Sequence, residues 1–598
     1  MRTACCPDIL PRTGKFLCGL HSSVWFARLV ILLFLVKMHW GMWETWEWTM
    51  GDEAVHYTRG SAIHSEWWNW TMSWSPLYRA YYGAVSAIIS DPFTATLVHR
   101  VIVIFTAVFL LFEVVRRLIP VPFALFVTLW WASIQGNINP LYTVHLFAHV
   151  ANLVPILLFA ASRTSRGRGW ALALLAGSAL FVRNETVACV LFVICFLNLY
   201  EWLLRRKGIG ISWKEYLLSY GVPLVTIMAV WLGSCGISEN GIKGTVRDIQ
   251  EKAAFNFSQN YAFTYFLRHP NTEGNVWYKY KEICEEDFGE GEVSVGKAVL
   301  SNPKAFGEHM SMNLSNLPAS LQLTLFNVRG SARNPDVIPT THNPKRALFL
   351  TCAWGVLIII GGWLIIADRK WFYEQTFRPH FAAWICFLGF LLQTIPVAIL
   401  ILSRQSFLIT GASFLFLFTG LCSWAVWRKL PRPFHHPSLF PVASILALIL
   451  VPSIWANRPP PYDAPRALLR ALGDRREIMA VDGTHILGSI YQAEATGKFL
   501  DPAGKISVDG LDVLLPILNA NAPLGDQLNK RRIKLFFACG EETESNPSYQ
   551  KFAADPGEFD WKATGIWNTG PVYWKLFEPV APYPEDLEIL KNRQDLKR

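Results

Sequence analysis

Residues 394–414, TIPVAILILSRQSFLITGASF, join two long apolar runs through a short polar turn. The runs extend outward to Phe381–Leu402 and Phe407–Trp427. A helix needs about 20 apolar residues to cross ~30 Å of hydrocarbon, and each run has about that length. The stretch therefore predicts two membrane-spanning helices whose connecting turn carries Arg404.

The composition of the whole chain indicates the same surroundings. Among 598 residues, 52% are hydrophobic and 17% are charged, with 26 Trp and 39 Phe. A water-soluble domain could not bury that much apolar surface, so most of it should face lipid. We expect a polytopic α-helical membrane protein with about 11 transmembrane helices. The predicted spans are Trp25–Met42, Leu97–Val115, Val121–Gln135, Leu141–Ala160, Gly169–Val182, Thr186–Leu204, Tyr216–Leu232, Ala347–Ile366, Phe381–Leu402, Phe407–Trp427 and Pro441–Trp455.

Lys and Arg collect in the loops on one side of these spans. They precede the first span and follow the second, fourth, sixth, eighth and tenth spans. Because cytoplasmic loops retain Lys and Arg, the amino terminus should be cytoplasmic, and the loops 43–93 and 233–344 should lie outside. This asymmetry largely explains the formal net charge of +10, so we predict no nucleic-acid partner.

The carboxy-terminal part of the chain has a different pattern. Residues 1–458 form the predicted membrane domain, and the proline-rich NRPPPYDAP at 457–465 reads as a linker. Residues 459–598 alternate strand-like and helical stretches, which predicts a small extracytoplasmic α/β domain. Its strands REIMAV and KLFFAC are apolar on both faces, as in a covered parallel sheet. It has no phosphate-binding glycine loop, so nucleotide binding is not predicted.

Charged residues mark three places on the predicted outer face. They are GDEAVHYTRG at 51–60, the triplet Arg183-Asn184-Glu185, and Arg404-Gln405. The apolar run before Arg183 rises only ~21 Å, so Arg183 and Glu185 should lie below the interface, where a charge costs ~2.5–3.5 kcal/mol. Either the two residues pair at a tight helical hairpin, or they bind an anion or sugar hydroxyl in a cavity that opens outward.

The order of these motifs resembles the GT-C glycosyltransferases, in particular the group with protein O-mannosyltransferases and the lipid A aminoarabinose transferase. GDEAVHY followed by SPLY at 75–78 is similar to their first outer loop, with Ser75 in place of a proline. The triplet at 183–185 resembles an Arg-Pro-Glu of bacterial members, with Asn184 in place of the proline. Ser403-Arg404-Gln405 resembles their Pro-Arg-Tyr. The bacterial look of the triplet favours a bacterial inner membrane, with the active site facing the periplasm.

The resemblance implies transfer of a sugar from a polyprenyl-phosphate donor to a lipid, glycan or protein acceptor on the outer face, with inversion. It implies that Asp52 is the general base and that Glu53 supports it, binds a sugar hydroxyl or ligates a metal. His56 and Tyr57 of the same motif are then candidate substrate-binding residues. On the residues alone, Asp52 and Glu53 are equally well explained as acids in the first turn of a helix.

A departing phosphate requires a cation, and guanidinium groups match its pairs of oxygens. Arg404 and Arg183 are the leading candidates. Lys345 and Arg346 are second candidates, with lipid-headgroup anchoring as the alternative. Some members of the family use a divalent ion, and His56, His64 and Glu66 could join Glu53 in such a site, but the spacing lacks a metal-site signature. We therefore predict no metal.

Two other classes of function remain open from the sequence. A secondary transporter or lipid-linked glycan flippase would use the same carboxylates to couple ions, although transporters more often place charges in the middle of their helices. A non-catalytic membrane scaffold would need neither the carboxylates nor the arginines.

Overall fold

A computed structural model shows the fold. The structure describes residues 23–42, 53, 56–57, 59–60, 63, 72, 74–89, 92–134, 136, 143–238, 240–272, 276–335, 340–431, 435–436, 439–451, 479–481, 508–509, 523–530, 535–538, 547–569 and 572–581.

Helices account for most of the described residues before the carboxy-terminal segment. They are α1 (Val24–His39), α2 (Pro76–Ile88), α3 (Pro92–Leu118), α4 (Val121–Ala132), α5 (Thr143–Ala161), α6 (Ser165–Phe181), α7 (Thr186–Arg206), α8 (Trp213–Ile237), α9 (Gly241–Arg268), α10 (Val276–Phe288), α11 (Val295–Ser301), α12 (Pro303–Phe326), α13 (Pro344–Ala367), α14 (Arg369–Leu400), α15 (Gln405–Trp427) and α16 (Leu439–Leu450).

Seven helices within the described part of the chain are long and apolar enough to cross a membrane: α3, α5, α7, α8, α13, α14 and α15. This confirms the expected class of helical protein with several apolar spans. A helix lies at each of the other four predicted spans, but α4 and α16 have 12 residues, α1 has 16 and α6 has 17. A 12-residue helix rises only ~18 Å, so the count of eleven stays a prediction.

The described residues fall into two compact units. The first lies within 1–40, 68–77 and 102–456, and the second within 41–67, 78–101 and 457–598. In the first unit, α15 packs against α4, α5, α12, α13 and α14, and most of its side chains are buried. Gly361 brings α13 close to α15, since a Cβ at that position would lie 2.4 Å from Cys422 Cβ. The opposite face of α13 exposes Phe349, Ile359 and Trp363, as a lipid-facing helix would.

α14 and α15 are the two spans predicted from the opening stretch. α14 ends at Leu400 and α15 begins at Gln405, so the polar turn between them consists of residues 401–404 only. The first of the two long helices of the 233–344 segment, α9, packs against α12. α12 in turn packs along both α14 and α15. The predicted outer loop 233–344 is therefore mostly helical and packs against the spans.

The carboxy-terminal segment contains a five-stranded sheet in its described residues. Its strands are β1 (Met479–Val481), β2 (Val508–Asp509), β3 (Leu535–Ala538), β4 (Trp561–Thr569) and β5 (Val572–Pro579). The order is β2-β1-β3-β5-β4, with β1 parallel to β2 and β3, and β5 antiparallel to β3 and β4. REIMAV and KLFFAC contain β1 and β3, which pair in parallel as their apolar pattern predicts. The β4–β5 hairpin adds an antiparallel edge that the sequence analysis did not predict.

Two short helices cover part of this sheet. They are α17 (Leu524–Lys530) and α18 (Pro547–Ala554). Phe536, Phe552, Trp561 and Phe577 form the centre of their shared apolar core. The predicted helical stretch HILGSIYQAEATG and the stretch VLLPILNA lie outside the described residues. The domain boundary at 458 stays a prediction.

Candidate active site

Glu53 is the described carboxylate of the first outer motif, and it is fully buried. The Tyr78 hydroxyl donates to Glu53 Oε2 at 2.6 Å. Tyr57 lies beside this pair, with its hydroxyl 3.4 Å from that of Tyr78, and it accepts a hydrogen bond from Arg100 Nε at 3.2 Å. A buried carboxylate costs free energy unless it is hydrogen-bonded. The hydrogen bond from Tyr78 therefore stabilises Glu53 in its buried position.

The remaining members of this cluster are cationic or aromatic. Arg79 is buried, and its Nε donates to His56 Nδ1 at 3.4 Å. The His99 ring lies 5.0–5.5 Å from the rings of four tyrosines. We name this set the carboxylate cluster: Glu53, His56, Tyr57, Tyr78, Arg79, His99 and Arg100.

The phenols of the carboxylate cluster stay protonated. Burial, and then the negative charge of Glu53, raise the pKa of Tyr78 well above its ordinary value. Burial also raises the pKa of Tyr57, although Arg100 opposes that shift. Tyr78 is therefore a permanent hydrogen-bond donor to Glu53 at neutral pH.

The structure places Glu53, His56 and Tyr57 of the predicted motif in one cluster, and the sequence analysis did not select the other four members as site residues. Tyr78 is the last residue of the SPLY motif. His99 and Arg100 are ionisable residues inside the predicted span Leu97–Val115, a placement that by default indicates function. No signal in the sequence separated Arg79 from an ordinary basic residue. Asp52, the predicted base, lies outside the described residues.

A groove of about 280 Å³ lies in the first unit. Its walls come from residues 72 and 74–76, the α6–α7 turn, α9, and residues at the end of α14 and the start of α15. Most of the lining is apolar, and Arg183 and Lys252 are its cations. The lining residues are Met72, Trp74, Ser75, Pro76, Leu180, Phe181, Val182, Arg183, Asn184, Glu185, Ile249, Lys252, Ala253, Asn256, Val397, Ile401 and Phe407.

Strained backbone forms one wall of this groove. Trp74 and Ser75 both have φ of 60°, a left-handed conformation that costs about 1–3 kcal/mol for such residues. Ser75 Oγ donates to Val182 O at 2.7 Å, which ties the strained segment to the end of α6. Proline, with φ fixed near −65°, could not occupy position 75 in this conformation. The backbone conformation at position 75 therefore explains why this chain has a serine where the resembling motif has a proline.

A second, smaller cavity of about 20 Å³ shares Arg183, Glu185, Val397 and Phe407 with the groove. We call it the inner chamber, and its volume suits about one water or one hydroxyl group. Its other lining residues are mostly polar: His145, Ala148, Asn152, Thr186, Gln393, Thr394, Ser406 and Thr410.

Three buried polar atoms of the inner chamber have no hydrogen-bond partner among the described residues. They are Thr186 Oγ1, Gln393 Oε1 and Ser406 Oγ. Each unsatisfied polar group costs about 1–3 kcal/mol, and native proteins keep few of them. These three atoms would be satisfied by polar groups other than those of the described residues, such as a water or a hydroxyl group in the inner chamber.

The structure shows the pairing of Arg183 with Glu185 and places both side chains at cavities, while binding of an anion or a sugar hydroxyl there stays a prediction. Arg183 Nε pairs with Glu185 Oε1 at 2.6 Å, and the pair lies at the tight turn between α6 and α7. The same two side chains line the groove and the inner chamber. Pairing satisfies the charges without removing them from the cavities.

Arg404 occupies the position before α15. Its guanidinium carbon lies 4.5 Å from the centre of the Phe407 ring, and Phe407 lines both cavities. Lys345 and Arg346 are exposed in the first turn of α13 and do not line either cavity. Lys252, which the sequence analysis did not select, holds its Nζ 3.6 Å from the centre of the Trp74 ring.

Within the described residues, no group of three or more His, Cys, Asp or Glu side chains is placed to hold a metal ion. His64 and Glu66 lie outside the described residues.

No protein-family model matches the chain, and no curated protein matches it. Among solved structures, the chain is similar to the Archaeoglobus fulgidus oligosaccharyltransferase in the apo form, with 12% identity and a TM-score of 0.42 over 87% of this chain and 69% of that one. It is also similar to AglB from Archaeoglobus fulgidus in complex with an inhibitory peptide and a dolichol-phosphate, with 12% identity and a TM-score of 0.44 over 96% and 75%.

A third similar structure is ArnT from Cupriavidus metallidurans bound to undecaprenyl phosphate. The identity is 10% and the TM-score 0.36, over 95% of this chain and 98% of that one. The structural comparison thus returns an oligosaccharyltransferase and ArnT. Because these TM-scores lie below 0.5, residue roles rest on the geometry of this chain alone.

Proposed function

We propose that the chain is an integral membrane glycosyltransferase that moves a sugar from a polyprenyl-phosphate-linked donor to an acceptor on the extracytoplasmic face, with inversion. The observation that carries the proposal is the groove: its walls are mainly apolar, it contains Arg183 and Lys252, and it shares four lining residues with a polar inner chamber. An isoprenoid chain needs apolar walls, its phosphate needs cations, and a sugar needs donors and acceptors of hydrogen bonds.

The donor phosphate is assigned to the cations of the groove. Lys252 supplies a point charge, and Arg183 supplies a fork of donors that can contact two phosphate oxygens. Arg404 is the third candidate cation, through its position beside Phe407. Together they would stabilise the negative charge that the phosphate gains as it leaves.

The sugar is assigned to the inner chamber. One sugar hydroxyl fits its volume of about 20 Å³ and would satisfy several of the unpartnered atoms of Thr186, Gln393 and Ser406. Glu185 can accept a hydrogen bond from a second hydroxyl while it remains paired with Arg183. The chamber would therefore select the donor sugar rather than the lipid.

The transfer step is a single displacement. The acceptor hydroxyl gives its proton to the Asp52 carboxylate, and its oxygen bonds to the anomeric carbon while the bond from that carbon to the phosphate oxygen breaks. The polyprenyl phosphate leaves with the bonding electrons, and the configuration inverts. Because Glu53 is buried and bonded to Tyr78, we assign it to supporting the motif rather than to proton transfer.

The test is transfer activity in a folded, membrane-inserted protein. Asp52→Asn and Arg404→Ala should each lower the release of polyprenyl phosphate by at least about 100-fold. Arg333→Ala is the control, since Arg333 is exposed in the predicted outer loop. Full activity in both Asp52→Asn and Arg404→Ala would refute the assigned roles.

A second experiment separates the enzyme from a transporter or flippase. Proteoliposomes that accumulate a substrate without forming any glycosylated product would favour transport. Mass analysis of polyprenyl-phosphate sugars that build up in a bacterial deletion strain would identify the donor. If fractionation did not find the protein in the inner membrane, the proposed location would be contradicted.

A further inference from the structure

One face of α12 is a stripe of buried polar side chains. His309, Asn313, Asn316, Ser320 and Thr324 are each at most 4% exposed. Their spacing of three and four residues places them on one side of the helix. A buried polar stripe is stable only where it meets matching polar groups. For His309, Asn313 and Ser320, such groups lie at the end of α14 and in the turn between α14 and α15.

The last carbonyls of a helix have no hydrogen-bond partner within that helix. At the end of α14, side chains of α12 provide the missing donors. Asn313 Nδ2 donates to Ile399 O at 2.9 Å and to Ile401 O at 3.3 Å. His309 Nε2 donates to Leu400 O at 3.0 Å. Three consecutive carbonyls are therefore bound by two side chains of one helix.

The same stripe binds the next part of the turn. Asn313 Oδ1 accepts from Ser403 N at 3.4 Å. Ser320 Oγ donates to Ser403 O at 2.5 Å and accepts from Ser403 Oγ at 3.1 Å. Residues 399–403, which are the last two residues of α14 and the first three of the turn, are thus fixed immediately before Arg404.

We infer that Asn313 and Ser320 of α12 are positioning residues for the active site: they hold the α14–α15 turn so that Arg404 and the groove residues Ile401 and Phe407 face the donor. This inference rests on the proposed function only for the identity of the donor. We call the contacts of His309, Asn313 and Ser320 with residues 399–403 the clamp.

Side chains on the two sides of the turn support this role. Ile401 precedes Arg404 and Phe407 follows it, and both line the groove. Ser406 lines the inner chamber. A shift of the turn by about 1 Å would therefore move the phosphate cation, the apolar wall and a chamber hydroxyl together, which is the displacement that costs enzymes about 100-fold in rate.

α12 also offers matched controls. Asn316 is the same residue type, 4% exposed, one turn along the stripe, and makes no hydrogen bond to residues 399–403. Ser315 is exposed and its hydroxyl donates to Met312 O. Asn313→Leu and Ser320→Ala each remove part of the clamp, whereas Asn316→Leu and Ser315→Ala change the same helix and leave the contacts of the clamp in place.

The first measurement is hydrogen–deuterium exchange of a peptide covering residues 399–407 in the purified full-length protein. Exchange should accelerate at least about tenfold in Asn313→Leu and Ser320→Ala and stay unchanged in the two controls. Equal exchange in clamp and control variants would overturn the inference. If Asn313→Leu does not fold, Ser320→Ala, which removes only one hydroxyl, decides the result.

The second measurement is the affinity of the same proteins for undecaprenyl phosphate. The clamp variants should bind it roughly tenfold more weakly, and the controls should stay within about twofold of wild type. Faster exchange with unchanged affinity would overturn the positioning role. If the wild-type protein does not bind undecaprenyl phosphate at all, the proposed function fails, and the exchange result still decides whether the clamp holds the turn.

Discussion

Arg183 Nε lies 2.6 Å from Glu185 Oε1, and this one ion pair lines both the groove and the inner chamber. The pair spans the turn between α6 and α7, where it stabilises a helical hairpin of the first unit. It also presents charge to two cavities that differ in polarity. Its structural and chemical roles can be separated by experiment.

Exchanging the two charges tests whether the pair does more than stabilise the turn. Arg183→Glu and Glu185→Arg each place like charges side by side in a half-buried site and should destabilise the protein by about 1–3 kcal/mol. The double variant restores an ion pair, so its thermal midpoint should return towards wild type. Sugar transfer should not return, because the cation then lies on the wrong side of the turn. Recovered transfer in the double variant would reduce the pair to a structural role.

Thr186→Val tests the unpartnered hydroxyl of the inner chamber. Thr186 is fully buried, and its Oγ1 has no partner among the described residues. Replacing it with a methyl group of similar shape should stabilise the protein by about 1 kcal/mol and lower transfer, since the hydroxyl is assigned to the donor sugar. The measurements are the thermal midpoint and the rate of transfer.

Thr128→Val is the control for that variant. Thr128 is also fully buried, but its hydroxyl donates to Ala124 O at 2.8 Å. It should therefore destabilise the protein slightly and leave the Michaelis constant for the donor unchanged. We therefore expect Thr186→Val to raise the stability and Thr128→Val to lower it. Equal losses of stability would show that the Thr186 hydroxyl already has a hydrogen-bond partner.

Tyr78→Phe removes the phenol that donates to buried Glu53. The carboxylate then loses a short hydrogen bond inside a fully buried site, which should cost about 1–3 kcal/mol in the free energy of unfolding. Glu53→Gln in the Tyr78→Phe background should recover part of that loss, because a neutral amide is cheaper to bury. Tyr373→Phe, at an exposed tyrosine, is the control. An unchanged thermal midpoint in Tyr78→Phe would contradict the tyrosine's structural requirement.

Lys252→Ala tests the groove cation that the sequence did not reveal. Undecaprenyl phosphate should bind about tenfold more weakly to this variant, and the loss should shrink at high salt because part of the attraction is electrostatic. Lys243→Ala removes an exposed lysine from the same helix and should change the affinity less than twofold. Equal effects from the two lysines would indicate general attraction by the surface of α9.

His309 gives the clamp a dependence on pH. Burial, and to a smaller extent the charge of Arg268, lower its pKa to about 4, against 6.5 in the unfolded chain, while its bond to Leu400 O opposes the shift. The facing groups also include Thr264, whose Oγ1 lies 2.6 Å from His309 Nδ1, and Tyr261. The neutral ring is the form that the folded protein holds.

The sign of the pH effect follows from that lowered pKa. The unfolded chain binds more protons between pH 6.5 and 4, so this contribution is fully present above pH 6.5 and is lost as the pH falls to 4. The total is about 3 kcal/mol. His309→Gln should be less stable than wild type at pH 7.5, and the difference should shrink or reverse at pH 5. A difference that stays constant between those pH values would contradict the lowered pKa.

Many helices of the first unit were predictable, because a segment that crosses lipid needs a run of apolar residues of a certain length. The apolar runs placed the end of α14 and both ends of α15 to within a few residues, but α14 begins well before its run, at Arg369. The short run before Arg183 left pairing and a cavity site as alternatives. The clamp was not predictable, since Asn313 and Ser403 lie 90 residues apart and their contact depends on packing. The positive φ of Ser75, whose hydroxyl bonds to Val182 O, likewise depends on a contact with a distant part of the chain.

Asn313 also begins the tripeptide Asn-Leu-Ser, an acceptor sequence for N-linked glycans in eukaryotic hosts. The atom that would carry the glycan, Nδ2, is the same atom that binds two backbone carbonyls of the α14–α15 turn. A chain modified during synthesis in such a host could not form that contact. Recombinant protein for functional work is therefore best produced in bacteria, or in yeast with the serine at 315 replaced.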